Sequence, residues 1–434
     1  MGVVLYGPSL ALASVTALSV NYSVLVVGII CTFYTSIGGI KAVIWTDVVQ
    51  CILMMLGVFM IVAYSFFDEG GWTQPFVVGE KHGRVKMFET DTNPYRNDTF
   101  WAVMCGSLTM WCGSYCISQT EVQRFCSTKS ISHAKKTLYW NILPVVFIGW
   151  IAIWSGLVIF NRYYQCDPVS MGIIERHDQL VPYFVMDTMS RYPGIAGLFT
   201  ACVFSGSLST LSSGFNSLAA VTWDDFVRPH ISQSKLDGGM DTKNITKMIA
   251  ASYGIISLGL AFFVGRLGTV LQASIALSGS SRGPLFAVFC LALFVPFTNS
   301  RGAITGIATG VLSSLSLAIG TMIRPRPKAQ LHIFTSNCSE SIYEAYGHRE
   351  PQMHTLPWNY EPHGIDRILH ISYFYVTVIG FCITLVVGIV VSLLTRDPDE
   401  EAVDSKLLAK HHFPEFRQRS HKYNVSRFNM ETMK

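Results

Sequence analysis

The chain has 434 residues, and charged residues make up only 14% of it, against roughly 25% in soluble globular domains. Its formal net charge is +4 and its mean hydropathy is +0.37. A soluble protein of this length needs a charged surface, and a nucleic-acid-binding protein needs a basic stripe with aromatic residues, which this sequence lacks. The composition therefore argues against both classes, and no nucleic-acid partner is expected.

Charged residues are clustered between long apolar runs, beginning with residues 1–40, which contain no Asp, Glu, Lys or Arg. A helix that spans a bilayer needs about 20 mostly apolar residues, and this first run, interrupted at 19–23, is long enough for two. The further runs are 48–67, 99–120, 137–161, 192–223, 248–265, 267–300, 302–323 and 368–395. The sequence therefore predicts an all-α polytopic protein with ten spans in a lipid bilayer.

The positions of Lys and Arg near the span ends predict the orientation in the membrane. The loop 121–136 and the segment after the last span are rich in both and should be cytoplasmic, which also places Met1 in the cytoplasm. The outward loops are then 68–98, 162–191 and 324–367. We therefore expect a multi-pass plasma-membrane protein with a membrane domain over 1–394 and a cytoplasmic tail over 395–434.

The beginning of the chain lacks the basic residues and the cleavage site of a signal peptide. Met1 is instead followed directly by apolar sequence. Membrane proteins usually begin with a polar tail, so we expect a clipped or alternative start.

Cys166 and Cys338 are the only two of the eleven cysteines in predicted outward loops. Disulfides persist in that oxidising compartment, and closing the long loop between these residues would stabilise the fold. The sequence therefore predicts a Cys166–Cys338 disulfide. The sequons at Asn97 and Asn337 lie in outward loops too and are predicted glycosylation sites.

The span 192–223 is unusually rich in small and hydroxyl side chains. Gly206, Ser209, Thr210 and Ser213 fall on one face of a helix with 3.6 residues per turn. One interpretation is a monovalent-cation site, in which hydroxyl and carbonyl oxygens replace the water around the ion. The other is close helix packing through small residues, which this pattern alone favours somewhat.

Two further regions carry polar groups at membrane depth. Gln119, at the end of the run 99–120, must find a partner or line a cavity. Trp111 and Tyr115 in the same run are packing residues or part of a substrate wall. Asp47, at the edge of a span, is either a solvated boundary residue or a cation ligand or gate.

Arg282 interrupts the otherwise uncharged stretch 267–300. It could bind a substrate carboxylate with both guanidinium nitrogens. Alternatively, the helix breaks at Gly283–Pro284 and the arginine extends from the break toward water, which is the interpretation slightly favoured.

Motifs of known enzyme classes are missing or lack their context. The stretch Gly279-Ser-Ser-Arg-Gly283 has the spacing of a hydrolase nucleophile elbow but not its strand–turn–helix setting or the following acid and histidine. Metalloprotease, C-x-x-C and phosphate-loop patterns do not occur. We do not expect an enzyme.

Six stretches carry a resemblance that covers nearly the whole chain. They are Cys-Thr-Phe-Tyr-Thr-Ser-Ile-Gly-Gly-Ile-Lys-Ala-Val-Ile-Trp-Thr-Asp-Val-Val-Gln (31–50), Glu-Val-Gln-Arg-Phe (121–125), Asp-Gln-Leu-Val-Pro-Tyr (178–183), Phe-Ser-Gly-Ser-Leu-Ser-Thr-Leu-Ser-Ser (204–213), Ala-Ala-Val-Thr-Trp-Asp-Asp-Phe (219–226) and Arg-Gly-Pro-Leu (282–285). The sequence resembles the sodium/solute symporter family. It is most similar to the branch of sodium-coupled monocarboxylate, multivitamin and iodide transporters.

The resemblance implies a fold of two inverted five-helix repeats with thirteen spans, of which the first three would be missing here. It implies a sodium site made by the Ser209 and Thr210 hydroxyls and the Gly206 carbonyl. The other positions matching cation-coordinating residues of the branch are Asp47, Gln50 and Gln119. The positions matching its substrate lining are Trp111, Tyr115, Leu271 and Ile275.

The resemblance implies sodium-coupled symport of a small organic anion by alternating access, with Na+ as the co-transported ion. A short monocarboxylate is the first substrate expected, a vitamin such as biotin or pantothenate the second, and an inorganic anion such as iodide the third. The alternative is a non-transporting membrane sensor or a truncated regulatory isoform.

Overall fold

The computed structural model describes residues 1–16, 18–67, 71–86, 88–97, 99–231, 242–265, 270–324, 334–335, 337–347 and 361–396, without the side chains of 37–44. Every regular element in these ranges is helical, which confirms the all-α fold class. The α-helices are Gly2–Val15 (α1), Val20–Tyr64 (α2), Gln74–Lys81 (α3), Phe100–Ile117 (α4), Gln119–Cys126 (α5), Ile131–Tyr163 (α6), Leu180–Met189 (α7), Ile195–Val221 (α8), Thr242–Val264 (α9), Val270–Phe294 (α10), Ser300–Ile323 (α11), Glu340–Tyr346 (α12), Asp366–Leu369 (α13) and Tyr373–Leu394 (α14). The predicted tail lies outside the described residues from 397 onward.

Within the described residues, eight helical segments are long and apolar enough to cross a membrane. They are Trp45–Tyr64, Phe100–Ile117, Ile131–Tyr163, Ile195–His230, Thr242–Val264, Val270–Phe294, Ser300–Ile323 and Tyr373–Leu394. Two shorter apolar helical segments, Gly2–Val15 and Val20–Ser36, occupy the first predicted run. Each of the nine predicted runs therefore contains helix, with two helical segments in the first run, and the protein is a multi-pass membrane protein.

The interruption predicted at 19–23 lies a few residues too late. Helix α1 ends at Val15, and α2 already begins at Val20. The Ser19 hydroxyl accepts a hydrogen bond from the Tyr22 backbone N–H and so caps the start of α2. The serine that suggested a turn therefore starts the next helix.

The described helices form two compact groups. The first comprises described residues within 1–88, 123–274 and 327–360, and the second those within 89–122, 275–326 and 361–396. In the first group, α1, α2, α8 and α9 enclose a core of almost fully buried apolar side chains. Its members include Leu5, Val27, Leu211, Phe215 and Ala261.

A second core in the first group lies where α2, α6, α7 and α8 meet. Phe184 and Val185 of α7 are completely buried there beside Ile159 and Phe199. The Tyr64 ring meets Phe184 edge to face, with ring centres 5.4 Å apart. The short helix α7, which belongs to a predicted outward loop, is thereby fixed to the spans.

In the second group, α11 and α14 approach each other until their backbones touch. A Cβ atom added to Gly306 would lie 2.8 Å from the Thr384 carbonyl oxygen and 3.1 Å from the Gly388 Cα atom. No side chain fits there, so glycine is required. The residues that form this glycine seam are Gly302, Gly306 and Gly310 on α11 and Gly380, Thr384, Gly388 and Ser392 on α14.

The break considered at Gly283–Pro284 is wrong, because α10 is continuous from Val270 to Phe294 with Pro284 inside it. Proline has no N–H, so the carbonyl of Ser280, four residues earlier, loses its partner within the helix. The hydroxyl of Ser314 on α11 is completely buried and lies 2.8 Å from that carbonyl oxygen and 2.6 Å from the Gly310 carbonyl oxygen of its own helix, so the two carbonyls share its proton. The neighbouring helix thus compensates for the missing hydrogen bond, as it does where membrane helices tolerate proline.

Candidate functional site

Asp47 is the centre of a polar cluster between α2 and α8 in the first group. The Ser209 hydroxyl donates to Asp47 Oδ1 at 2.6 Å, and the Ser213 hydroxyl lies 3.3 Å from Oδ2. Ser209 and Ser213 are one turn apart and therefore face α2 together. The Asp47 side chain is 16% exposed, so this carboxylate is a largely buried acceptor rather than a solvated boundary group.

Arg124 supplies the positive charge of this cluster. Its Nη2 atom donates to Asp47 Oδ2 at 2.6 Å and to the Ser213 hydroxyl at 3.0 Å. The Arg124 side chain is 43% exposed, so it reaches the carboxylate from the more open side. Arg124 lies on α5, which begins immediately after Ser118, a residue in extended conformation that ends α4.

The ion pair between Arg124 and Asp47 was not predicted from the sequence. There, the charge of Arg124 indicated only the orientation of a loop. The stretch Glu-Val-Gln-Arg-Phe, which contains it, was one of the signals of resemblance. Ser213 was on the predicted polar face but was not selected as a ligand. Its position one turn after Ser209 was the available signal.

Thr210 and Gly206 lie together on α8. The Thr210 hydroxyl donates to the Gly206 carbonyl oxygen at 3.1 Å, and Thr210 is exposed. Helix α8 is continuous here, so that carbonyl also remains part of the helix. A Cβ atom added to Gly206 would be 3.3 Å from Met54 Sδ, so the missing side chain allows α8 to lie close to α2.

Gln50 is a buried polar group on α2, one turn after Asp47. It is 8% exposed, and its Oε1 atom has no hydrogen-bond partner among the described residues. An unsatisfied buried acceptor costs about 1–3 kcal/mol, and buried polar groups are ordinarily paired with protein, water or an ion. Oxygen atoms from a carboxylate, hydroxyls and an amide are the donor set that a hard cation takes. The residues present therefore fit a sodium ion.

An apolar cavity of about 490 Å³ lies within the first group, next to this region. Met54 and Gly57 of α2 and Cys202 of α8 line it, and so do His177 and Asp178 of a predicted outward loop. The cavity therefore borders both the contact between Gly206 and Met54 and the residues that we expect on the extracellular side of the membrane.

The remaining predicted site residues are on α4, α5 and α10. Trp111 and Tyr115 stack with ring centres 5.8 Å apart, and Trp111 is 48% exposed. Gln119 is the first residue of α5 and belongs to the second group. Leu271 and Ile275 lie one turn apart in the first part of α10, so they share a face.

Arg282 lies in the middle of α10, with an exposed side chain. Its backbone packs against α4, where a Cβ atom added to Gly113 would be 3.2 Å from the Arg282 carbonyl oxygen. Because α10 does not break here, the interpretation of Arg282 as the end of a broken helix does not apply.

Cys166 and Cys338 are joined by a disulfide, with their Cα atoms 4.9 Å apart. Asn337, directly before Cys338, is exposed, and Asn97 is half-buried. The bond connects the end of α6 with the segment that precedes α12.

A family model, described as the sodium:solute symporter family, matches residues 1–310. The human sodium-coupled monocarboxylate transporter 2 is 38% identical over 414 residues, which are 94% of this chain and 65% of that protein. The rabbit sodium-dependent multivitamin transporter is 37% identical over 406 residues, 91% of this chain and 62% of that protein. The chain thus spans somewhat less than two thirds of the length of these relatives.

A solved structure of a Na+-coupled sialic acid symporter, in a substrate-bound outward-open state, has a similar fold. Its TM-score is 0.63 at 23% sequence identity, covering 91% of this chain and 71% of that one. The family match covers most of the chain, and the relatives above 30% identity align with more than nine tenths of it. This chain belongs to the sodium:solute symporter family.

Proposed function

We propose that the protein carries out sodium-coupled symport of a small organic anion by alternating access at the plasma membrane. A short monocarboxylate is the first substrate and a vitamin such as biotin or pantothenate the second. Support comes from relatives that are named sodium-coupled monocarboxylate transporters and a sodium-dependent multivitamin transporter.

The observation that carries the proposal is the contact of 2.6 Å between Asp47 and Ser209. It brings a buried carboxylate from α2 onto the hydroxyl-rich face of α8. A carboxylate and hydroxyls held together in an apolar surrounding are costly unless a cation or hydrogen-bond donors compensate them. We assign sodium binding to this face, with Ser209, Thr210 and Gly206 on α8 and Asp47 and Gln50 on α2.

Energy for uptake comes from the sodium gradient and from the membrane potential, which contributes about 2.3 kcal/mol per charge per 100 mV. Coupling requires that sodium binding favours the conformation that binds substrate, so that each ligand raises the affinity for the other. Helix α8 carries Ser209 and, one to two turns earlier, lines the cavity beside Met54 through Cys202 and Val203. A change at Ser209 can therefore reach that cavity along one helix.

For the substrate we assign the stacked pair Trp111 and Tyr115, together with Leu271 and Ile275, to the apolar part of the anion. Arg282 is assigned to its carboxylate. Arg282 is exposed on an unbroken helix, and a guanidinium can hold a carboxylate with two parallel hydrogen bonds. Gln119, at the start of α5 after the interruption at Ser118, is assigned to the sodium pathway.

The test is flux into liposomes that contain the purified 434-residue chain. Uptake of labelled propionate is measured with an inward sodium gradient and with an equal potassium gradient. We expect saturable uptake only with sodium, inhibited by other short monocarboxylates more strongly than by biotin. Equal uptake in both gradients contradicts the proposal. Sodium-dependent binding of propionate without flux identifies the alternative, a membrane sensor or regulatory form.

A further inference from the structure

The sequon at Asn337 has an unusual middle residue. It reads Asn337-Cys338-Ser339, and Cys338 is the cysteine that pairs with Cys166. Glycan transfer and disulfide formation thus act on adjacent residues in the same compartment.

The closed disulfide holds this sequon in place through its backbone. The Asn337 N–H donates to the Gln165 carbonyl at 3.4 Å, and the Asp167 N–H donates to the Phe334 carbonyl at 3.0 Å. The segment containing the sequon therefore lies alongside residues 165–167. Each of these backbone bonds is next to a disulfide cysteine.

The other side of the sequon is held by α12. The Cys338 N–H donates to the Tyr343 hydroxyl at 3.2 Å, and that hydroxyl donates to the Thr335 carbonyl at 2.6 Å. Ser339 is already the residue that precedes the first turn of α12. The acceptor tripeptide is thus fixed at its first, second and third residues.

We propose that Asn337 can accept a glycan only before the Cys166–Cys338 disulfide closes. A transferase must enclose the tripeptide in its own active site, which requires backbone groups that are free to leave the fold. Once the Cys166–Cys338 disulfide has closed, the backbone groups of the tripeptide can no longer leave the fold. The Asn337 side chain is nevertheless exposed in the closed structure, so a glycan attached earlier is accommodated.

Glycan transfer to Asn337 and closure of the Cys166–Cys338 disulfide each have a defined donor and a defined leaving group. In transfer, the Asn337 amide nitrogen gives a proton to a base of the transferase and bonds to the anomeric carbon of a polyprenyl-pyrophosphate-linked oligosaccharide, while the bond from that carbon to the phosphate oxygen breaks and polyprenyl pyrophosphate leaves. In closure, the two thiols exchange with the disulfide of an oxidoreductase, which is reduced to its dithiol as the new bond forms. Cys166 precedes Cys338 by 172 residues, so in the predicted topology it enters the outer compartment before the sequon does.

The experiment separates the two reactions in time. The chain is translated into microsomes while a competing acceptor tripeptide blocks glycosylation, the tripeptide is then removed, and glycan occupancy at Asn337 is measured by mass spectrometry. Wild type is compared with Cys166→Ser, which leaves the sequon intact. Asn97, whose sequon contains no cysteine, is the internal reference. A second sample of wild type is reduced before the tripeptide is removed, in case the variant folds poorly.

We expect Asn337 of oxidised wild type to remain at least tenfold less occupied than in the variant and in the reduced sample, with Asn97 equal in all three. Equal occupancy of Asn337 in oxidised and reduced wild type overturns the proposal. A complete lack of glycan at Asn337 in all three samples does so as well.

Discussion

The Arg124 guanidinium lies 2.6 Å from one carboxylate oxygen of Asp47, while the Ser209 hydroxyl lies 2.6 Å from the other. Arg124 and Asp47 are 77 residues apart in the chain, and Ser209 is 162 residues from Asp47. A cation that belongs to the protein therefore occupies the carboxylate to which we assign sodium. Sodium must compete with this arginine.

Replacing Arg124 by Gln should raise the apparent affinity for sodium, because Asp47 then loses a competing positive charge. The Arg124 side chain is 43% exposed, and ion pairs screened by solvent contribute about 1 kcal/mol or less, so half-maximal uptake should need up to about fivefold less sodium. The measurement is the sodium activation curve of uptake. Arg124→Lys should retain most of the wild-type behaviour, and Lys129→Gln in the same loop controls for a general loss of charge. Weaker apparent sodium affinity in Arg124→Gln would contradict this competition.

Replacing Ser209 and Thr210 together by Ala should lower sodium affinity strongly while surface expression changes little. The substitution removes two oxygen ligands that lipid cannot replace, whereas alanine keeps helix propensity and close packing. Uptake should fall through coupling. Thr200→Ala, which removes another hydroxyl bonded to its own helix, is the control.

The packing interpretation of α8 predicts the reverse for this double variant, namely lower expression with normal sodium dependence per surviving molecule. An unshifted sodium curve in protein that reaches the surface would therefore refute the assignment of Ser209 and Thr210.

Replacing Gln50 by Met should abolish most of the stabilisation that sodium gives to the folded protein. The buried Oε1 atom lacks a partner among the described residues, and Met fills a similar volume without an unsatisfied acceptor. In potassium, the variant should melt at the same temperature as wild type or higher. In sodium, wild type should gain stability by ligand binding and the variant should gain much less. An equal sodium-induced shift in both proteins would show that Gln50 is not a ligand.

Replacing Ser314 by Ala should destabilise the protein by about 1–3 kcal/mol, because the Ser280 carbonyl beside Pro284 is then left buried and unpaired. Thermal unfolding in detergent measures the loss. Ser313→Ala is the matched control, since that hydroxyl contacts only carbonyls of its own helix.

A double-variant cycle tests the cause of the Ser314 effect. Pro284→Ala restores the N–H that serves Ser280, so the cost of Ser314→Ala should largely disappear in that background. An unchanged cost would assign Ser314 to packing alone.

The helices could be predicted because every helix that crosses a bilayer needs about 20 mostly apolar residues, and this leaves a signal in the local sequence. The interruption near Ser19 was misplaced because serine favours both turns and helix starts. Continuity through Pro284 was not predictable locally, since the compensating hydroxyl of Ser314 lies 34 residues away on another helix.

In the candidate site, too, features encoded in the local sequence could be predicted, and features that depend on contacts between distant residues could not. The hydroxyl face with Ser209 and Ser213 follows from helical periodicity, and it was predicted. That Arg124 would meet Asp47 depends on the packing of separate helices, and no periodicity within α5 encodes it. The disulfide partners could be selected because the predicted topology placed only Cys166 and Cys338 in outward loops.

The glycine seam between α11 and α14 has a mechanical consequence. Ordinary helix pairs slide by small steps because side chains at their contact change rotamer, but at Gly306 the opposing atoms are backbone atoms of Thr384 and Gly388, which have no rotamers to change. Displacement of one helix along the other would drive side chains into that backbone. Through any transport cycle the two helices should therefore move together as one rigid unit. Changes in the relative position of helices must then occur at other helix contacts.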